Sequence, residues 1–309
     1  MPQVGYKGIF MYDIIIIGAG PAGLSAAIYA RRAGKSVLVL EKNTFGGQIT
    51  FSPKVENYPG FAEISGNELE DTFISHAIEQ GAELDLAEVT EIIDGDVKKV
   101  VTEDTTYEAK AVIIATGAKH RKLGLDREEE FIGEGISFCA VCDGAFYKDM
   151  EVAVIGGGNS ALQEALLLAE TSKKVTVVQN LDFLTGEGRL AEKVYAKENI
   201  EVILGAVVTE YLGEDKLTGI KIKKTNGEES VITLDGVFLA VGLIPDCEAF
   251  ASVLTLDARG YAVADEACTT GANGIFVAGD CRTKRIRQVA TAIADGATAA
   301  LAACDFIRE

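Results

Sequence analysis

Asp13-Ile14-Ile15-Ile16-Ile17-Gly18-Ala19-Gly20-Pro21-Ala22-Gly23 is the stretch on which the fold turns. Four consecutive isoleucines bounded by glycine have the pattern of a parallel strand buried on both faces. The glycines open a helical pattern that runs to Ala33, and Ser36–Leu40 is a second strand with Glu41 at its end. Together these make a dinucleotide-binding βαβ unit. The glycines allow a tight turn, close approach of a pyrophosphate and close helix packing. The helix N-terminus faces the phosphates, and Glu41 can bind ribose hydroxyls. A bare Gly-x-Gly-x-x-Gly also occurs by chance in ordinary βαβ turns; the second strand and the acid decide the reading.

Outward from this unit, a second one repeats the plan. Glu151–Ile155 is a strand, Gly156-Gly157-Gly158-Asn159-Ser160-Ala161 a turn, Ala161–Glu170 a helix and Lys174–Val178 the next strand. Just before it stands Cys139-Ala140-Val141-Cys142-Asp143-Gly144. Two cysteines three apart can close a small disulfide and reopen it, a spacing that favours redox cycling or metal ligation over stapling. Zinc would need four ligands, yet the only histidines are His76 and His120 and no other Cys-x-x-Cys exists, so no metal site is expected. The bland alternative is two buried cysteines three apart by coincidence. The nucleotide-type turns on either side argue for redox work. Asp143 is either a turn residue before Gly144 or a proton shuttle for a thiolate.

The chain has 309 residues, room for two domains, with 48% hydrophobic residues and 33 glycines, as suits an α/β protein with many tight turns. The net charge of -18 should repel nucleic acid and anionic membranes, so neither is expected as a partner. No apolar run approaches membrane-span length, and Met1–Phe10 lacks the features of a signal peptide. Met11 is an alternative start, with the first ten residues a tail. Six cysteines in a chain this long make no disulfide scaffold; a cytoplasmic setting with one working pair is expected, the other four (Cys247, Cys268, Cys281, Cys304) being small buried hydrophobes.

The remaining signals are local. Gly46-Gly47-Gln48 and Asn57-Tyr58-Pro59-Gly60-Phe61 read as loops, and Leu69–Gln80 as a helix. Ala87–Glu103 and Tyr107–Ala111 read as antiparallel strands; Ala111–Ala115 is an apolar strand ending in Thr116-Gly117, where glycine either admits a cofactor or simply ends the strand. Lys119–Asp126 and Gly242-Leu243-Ile244-Pro245 are domain crossings. Leu190–Glu198 is helical, with strands at Val202–Leu204, Gly219–Lys224 and Gly236–Val241. Gly274–Asp280 is a strand ending in Gly-Asp, and Gln288–Phe306 an alanine-rich helix able to pack closely on a sheet or a planar cofactor.

With these residues in view, the chain from Tyr12 onward resembles the low-molecular-weight, flavin-dependent thioredoxin reductases. The Cys139–Gly144 hexapeptide directly before the second nucleotide unit is the most specific element. The resemblance implies an α/β, two-domain flavoprotein disulfide reductase. Its FAD domain would comprise residues 11–122 and 247–309, with a second Rossmann-like domain, 123–246, inserted and carrying the cysteine pair. It also implies a homodimer with thioredoxin as partner. By motif, FAD would be held by Gly18, Gly20, Ala22, Gly23, Glu41, Gly47, Gln48, Asn57, Thr116, Gly117, Gly279, Asp280, Arg287, Gln288 and Val289. Asp280 would meet the ribityl and phosphate region, and Arg287-Gln288-Val289 the isoalloxazine ring. Cys142 would face the flavin, Cys139 attack the partner's disulfide, and Asp143 protonate a leaving thiolate.

One motif departs from the family. Members that use NADPH carry a His-Arg-Arg cluster after the second strand of the inserted domain and another Arg four positions on, because the 2′-phosphate wants bidentate guanidinium partners. Here the arginine positions hold Asn180, Leu181 and Thr185; Asp182 would repel a phosphate, and Gln179 replaces the acid that binds an NAD ribose. The closest subtype is therefore the ferredoxin-dependent flavin thioredoxin reductase. Alternatives are an NAD(P)H enzyme with degenerate contacts, a dithiol oxidase, and a flavoprotein-like scaffold without catalysis. An acidic ferredoxin would need a local basic patch on this acidic chain; Lys119-His120-Arg121-Lys122 and Arg282, Lys284, Arg285, Arg287 are the two candidates.

Overall fold

The computed structural model describes residues 11–52, 55 and 57–308; the reading of residues 1–10 as a tail lies outside the described residues. The chain forms two compact units. One combines residues 11–50 with Ser65–Lys119 and residues 244–308, and the other combines the described residues between 51 and 64 with His120–Leu243. The sequence reading leaves residues 51–64 in the first unit, whereas their contacts fall in the second.

In the first unit, strands run in the order Glu83–Leu86, Val37–Glu41, Met11–Ile17, Thr106–Ile114, Lys98–Thr102, Val89–Ile93, with Ile275–Val277 also pairing Thr106–Ile114. Thr106–Ile114 lies parallel to Met11–Ile17 and to Ile275–Val277, and antiparallel to Lys98–Thr102. The two strands read around Ala111 are thus one strand of nine residues that changes one partner halfway. The isoleucine run divides by the strand's period of two. Ile14 and Ile16 join the layer holding helices Pro21–Arg32 and Val289–Arg308; Ile15 and Ile17 join the layer holding Phe250 and Leu254. All four are buried, each contributing about 1.5–3 kcal/mol.

The two helices approach closely because both are built from small residues. A Cβ on Gly296 would overlap the Ala22 carbonyl, and one on Gly23 the Gly18 carbonyl. Val289–Arg308 differs from the sequence reading of apolar runs: it is 20 residues long, and an 18-residue window of it, with a mean hydropathy of 1.3, is apolar enough to cross a membrane by length and composition alone. Alanine keeps the hydropathy high without long side chains. In this fold the helix packs on Pro21–Arg32 and buries Asp295, which pairs with Arg282 and Lys284.

The second unit has a parallel sheet, Ile200–Ile203, Lys174–Val178, Glu151–Ile155, Gly236–Leu239, Ile136–Ser137. An antiparallel meander, Ala206–Gly213, Leu217–Lys224 and Glu229–Thr233, packs on one face, and helix Asn159–Leu168 on the other. Of the meander, the sequence reading places only the middle strand, whose Leu217, Ile220 and Ile222 are buried while its lysines stay outside the core.

Candidate active site

The nucleotide cradle of the first unit lies at the C-terminal ends of its parallel strands, where open α/β sheets bind ligands. Gly18 takes φ +104°, and a Cβ there would press on the Ala115 carbonyl and lie 3.1 Å from Thr116 Cα, which brings the Thr116-Gly117 turn alongside. The Gly46 amide donates to Ala19 O at 3.0 Å, folding Gly46 and Gly47 over Gly20. The floor is therefore bare backbone. Helix Pro21–Arg32 begins at Gly20 with no side-chain cap and no acid in its first turn, so its N-terminal amides are left for an anion. Glu41 accepts from Ala19 N at 2.9 Å and Asn43 N at 3.1 Å, which fixes its carboxylate at the cradle's rim with lone pairs to spare.

The Gly279-Asp280 turn closes the other side; a Cβ on Gly279 would lie 2.8 Å from that of Ala22. Asp295, nearly two turns into the long helix, holds this turn by accepting from Gly279 N at 3.0 Å. It also accepts from Arg282 and Lys284, each at 2.8 Å. Asp280 Oδ1 is buried without a hydrogen-bond partner, and burial pushes the Asp280 carboxyl up to about 6. An orphaned acceptor beside a bare glycine floor and a free helix N-terminus fits a dinucleotide, whose hydroxyls would satisfy Asp280 and whose phosphates the amides would receive. Arg287 stacks on Tyr261 at 4.1 Å and donates to the carbonyls of Asp280, Lys284 and Arg282, so its guanidinium shapes the turn. Gln288 and Val289 start the long helix; Gln48 lies exposed in the turn Gly47–Phe51. Asn57 is not brought to this cradle's unit; it lies in the 51–64 segment of the other.

In the second unit, the strand Ile136–Ser137 delivers Cys139 to the start of a one-turn helix, Ala140–Asp143, and Cys139 and Cys142 are joined as a disulfide. Ala140 is buried and anchors the turn, leaving both cysteines half-buried and Val141 exposed. Ser137 was missed by the sequence reading, though it stands two residues before Cys139. Its hydroxyl donates to Asp143 Oδ2 at 2.6 Å and accepts from Cys139 N at 3.1 Å, tying acid and thiol into one network. Ser52 donates to Asp143 Oδ1 at 3.5 Å. Burial raises the Asp143 pKa despite these two donors, which suits a carboxyl that must carry a proton. The other four cysteines are free and buried.

The second glycine turn differs from the first. Gly156 keeps a positive φ of +132°, but the Gln179 side chain lies where a Gly157 Cβ would stand. Gln179 is 5% exposed, donates to Phe183 O at 3.3 Å and accepts from Asn180 N at 3.2 Å. Gly157 O accepts from Thr185 N at 2.8 Å and Gly186 N at 2.9 Å. Leu181 and Phe183 are exposed beside Asn180 and Asp182. No arginine occupies this loop.

The basic clusters are corrected by the structure. Arg282 and Lys284 are not a surface patch: both are buried against Asp295, because a Gly-Asp turn on a small-residue helix needs an internal ion cluster to hold it. Of that group Arg285 alone is exposed. In the other cluster, His120 stacks on Phe138 at 4.7 Å and burial lowers its pKa to about 4, so it carries no charge near neutral pH. Lys119 and Lys122 pair with Asp246 and Glu129.

The family model "Pyridine nucleotide-disulphide oxidoreductase" matches residues 12–296. A thioredoxin reductase of Listeria innocua is 45% identical over 302 residues, 97% of this chain and 95% of that protein. The crystal structure of thioredoxin reductase from Streptococcus pyogenes matches with a TM-score of 0.92 and 40% identity, covering 97% of this chain and 99% of that one. A ferredoxin-flavin thioredoxin reductase from Clostridium acetobutylicum matches with a TM-score of 0.54 and 30% identity, covering 97% and 98%. Thioredoxin reductases of this family are FAD flavoproteins, and FAD is the dinucleotide that the first cradle fits. With the matched span running through both βαβ units and the cysteine pair between them, the chain belongs to the pyridine nucleotide-disulphide oxidoreductase family, as a flavin-dependent oxidoreductase.

Proposed function

We propose that this chain is a thioredoxin-disulfide reductase whose flavin is reduced by ferredoxin rather than by NADPH. The observation that carries the reductase reading is the Cys139–Cys142 disulfide with Asp143 wired to it through Ser137. FAD, which the Gly18–Gly23 turn, Glu41 and Asp280 would hold, would supply the electron pair that reduces this disulfide. Cys139 then attacks the disulfide of thioredoxin as a thiolate; a Cys139–thioredoxin sulfur bond forms and the other thioredoxin sulfur leaves, taking a proton from Asp143. Cys142 attacks the mixed disulfide, releases the second thioredoxin thiol and restores Cys139–Cys142. Cys139→Ser should abolish transfer to thioredoxin while leaving the flavin reducible.

The donor reading rests on Gln179, which folds over Gly157 and is satisfied by its own loop, and on Asn180, Leu181 and Thr185 at the guanidinium positions. Anaerobic bleaching with NADPH, NADH and reduced ferredoxin in turn tests it. Ferredoxin should bleach the flavin rapidly and micromolar NADPH slowly; rapid bleaching by NADPH overturns the donor reading and leaves the reductase reading intact. A second reading, an NADH-linked enzyme, is favoured by the uncapped N-terminus of helix Asn159–Leu168 and by Gly156; rapid bleaching by NADH alone would select it. With Arg282 and Lys284 withdrawn from the surface and the exposed Lys119 and Lys122 paired with acids, Arg121 and Arg285 are the exposed cations of the two clusters that would be free for ferredoxin docking. We infer also a cytoplasmic homodimer, which light scattering and cell fractionation test.

A further inference from the structure

Helix Gly66–Glu79 carries a carboxyl group that no part of the reaction uses. Glu70 is 2% exposed, and neither of its side-chain oxygens has a hydrogen-bond partner. Its Cγ and Cδ lie 2.5 Å and 3.2 Å from where a Gly46 Cβ would stand, packed beside Thr50 against the Gly46–Gly47 turn that folds over Gly20. That turn is part of the dinucleotide cradle.

We propose that Glu70 is a positioning residue for FAD: as a neutral acid it backs the Gly46–Gly47 turn, and when it ionises the turn loosens its hold on the dinucleotide. The charged groups that face it are Glu41, which stands at the cradle's rim, and Asp71, its neighbour on the helix. Thr50 is neutral, and its hydroxyl is committed to Gly47 O at 2.8 Å. No cation among the described residues compensates a negative charge there, and burial with Glu41 and Asp71 nearby pushes the Glu70 carboxyl up to about 8. The FAD pyrophosphate adds further negative charge to the same cradle, so a carboxylate beneath the turn is repelled where the protonated acid is tolerated.

The test is FAD affinity against pH, read by flavin fluorescence on titrating apoprotein from pH 6.5 to 9.5. Wild type should bind about tenfold more weakly at pH 9.5 than at pH 6.5. Glu70→Gln, neutral and of the same shape, should hold the pH 6.5 affinity across the range, which separates Glu70 from every other titrating group; thermal melting confirms that the variant is folded. A flat wild-type profile overturns the proposal, as does a Glu70→Gln profile that falls in parallel with wild type. The proposal rests on the flavin reading of the cradle: failure to bind FAD at any pH removes both, whereas tight, pH-independent binding removes only this role for Glu70.

Discussion

The two βαβ units share strand, glycine turn, helix and strand, and they differ in what the residue closing the second strand does. In the first, Glu41 reaches back to the Ala19 amide and keeps free lone pairs at the rim of an open floor. In the second, Gln179 lies across Gly157 and spends its amide on Phe183 O and Asn180 N. An amide has donor and acceptor both, so it can satisfy itself locally; a carboxylate only accepts, and must find donors. One side-chain atom thus separates a turn open to a ribose from a turn that its own loop completes. The lesson is that a glycine fingerprint reports a backbone path, and the residue at the next strand end reports whether a ligand is expected there.

A matched pair of substitutions gives the sharpest break. Gly20 and Gly158 both precede a helix at ordinary negative φ, and a Cβ on either meets nothing closer than 3.8 Å, so the backbone at each admits a side chain. Gly20→Val should fill the phosphate approach and displace several charge-assisted hydrogen bonds, weakening FAD binding by about a thousandfold at roughly 1.5 kcal/mol each. Gly158→Val should leave FAD content and the ferredoxin-driven rate within about twofold. Equal flavin loss in both variants would erase the distinction drawn between the units.

The second unit also carries chemistry, beside a glycine turn that the Gln179 side chain covers. Asp143→Asn should cut turnover with thioredoxin about a hundredfold, the size expected for a lost general acid. The sign of the pH effect follows from burial: the wild-type carboxyl holds its proton above the usual carboxylate range, so its rate falls as pH rises through that raised pKa. The asparagine variant lacks that limb. A stopped-flow pH profile unchanged by the substitution would reduce Asp143 to a turn residue. Grafting the missing cluster, Asn180→Arg, Leu181→Arg and Thr185→Arg together, should raise NADPH-driven bleaching about ten- to hundredfold. Partly exposed guanidinium–phosphate bonds contribute about 1 kcal/mol or more apiece.

Much of this was legible in the sequence because it is written in short-range patterns. Four isoleucines, the glycine spacing, Glu41 and the cysteine hexapeptide each fix local geometry within a few residues. What escaped was long-range. Glu229–Thr233 reads as polar because only one of its faces meets the core. Residues 51–64 carry no mark of the unit they join. Arg282 and Lys284 look like surface charge until Asp295, more than ten residues on, is found beneath them. The one hint was that aspartate itself, an acid in the middle of an alanine-rich helix, where a charge needs a partner. Ser137 and Glu70 gave less: a serine and a glutamate are ordinary until burial is known.

The smallest expected effect is also the closest test of the opening contrast. Gln179→Glu makes the second strand end like the first. The new carboxylate cannot donate to Phe183 O, so that carbonyl loses its partner and the loop 180–186 should loosen. A lost neutral hydrogen bond costs about 1 kcal/mol, visible as a small fall in melting temperature. In exchange, a carboxylate facing the Gly156–Gly158 turn can receive ribose hydroxyls, as Glu41 is placed to do in the first unit. NADH should then bleach the flavin a few-fold faster. NADPH should gain nothing, because its 2′-phosphate would meet the new carboxylate and Asp182 with no cation between them. Bleaching by NADH at the wild-type rate would mean that the loop, and not the side chain at its start, closes the second unit to nucleotides.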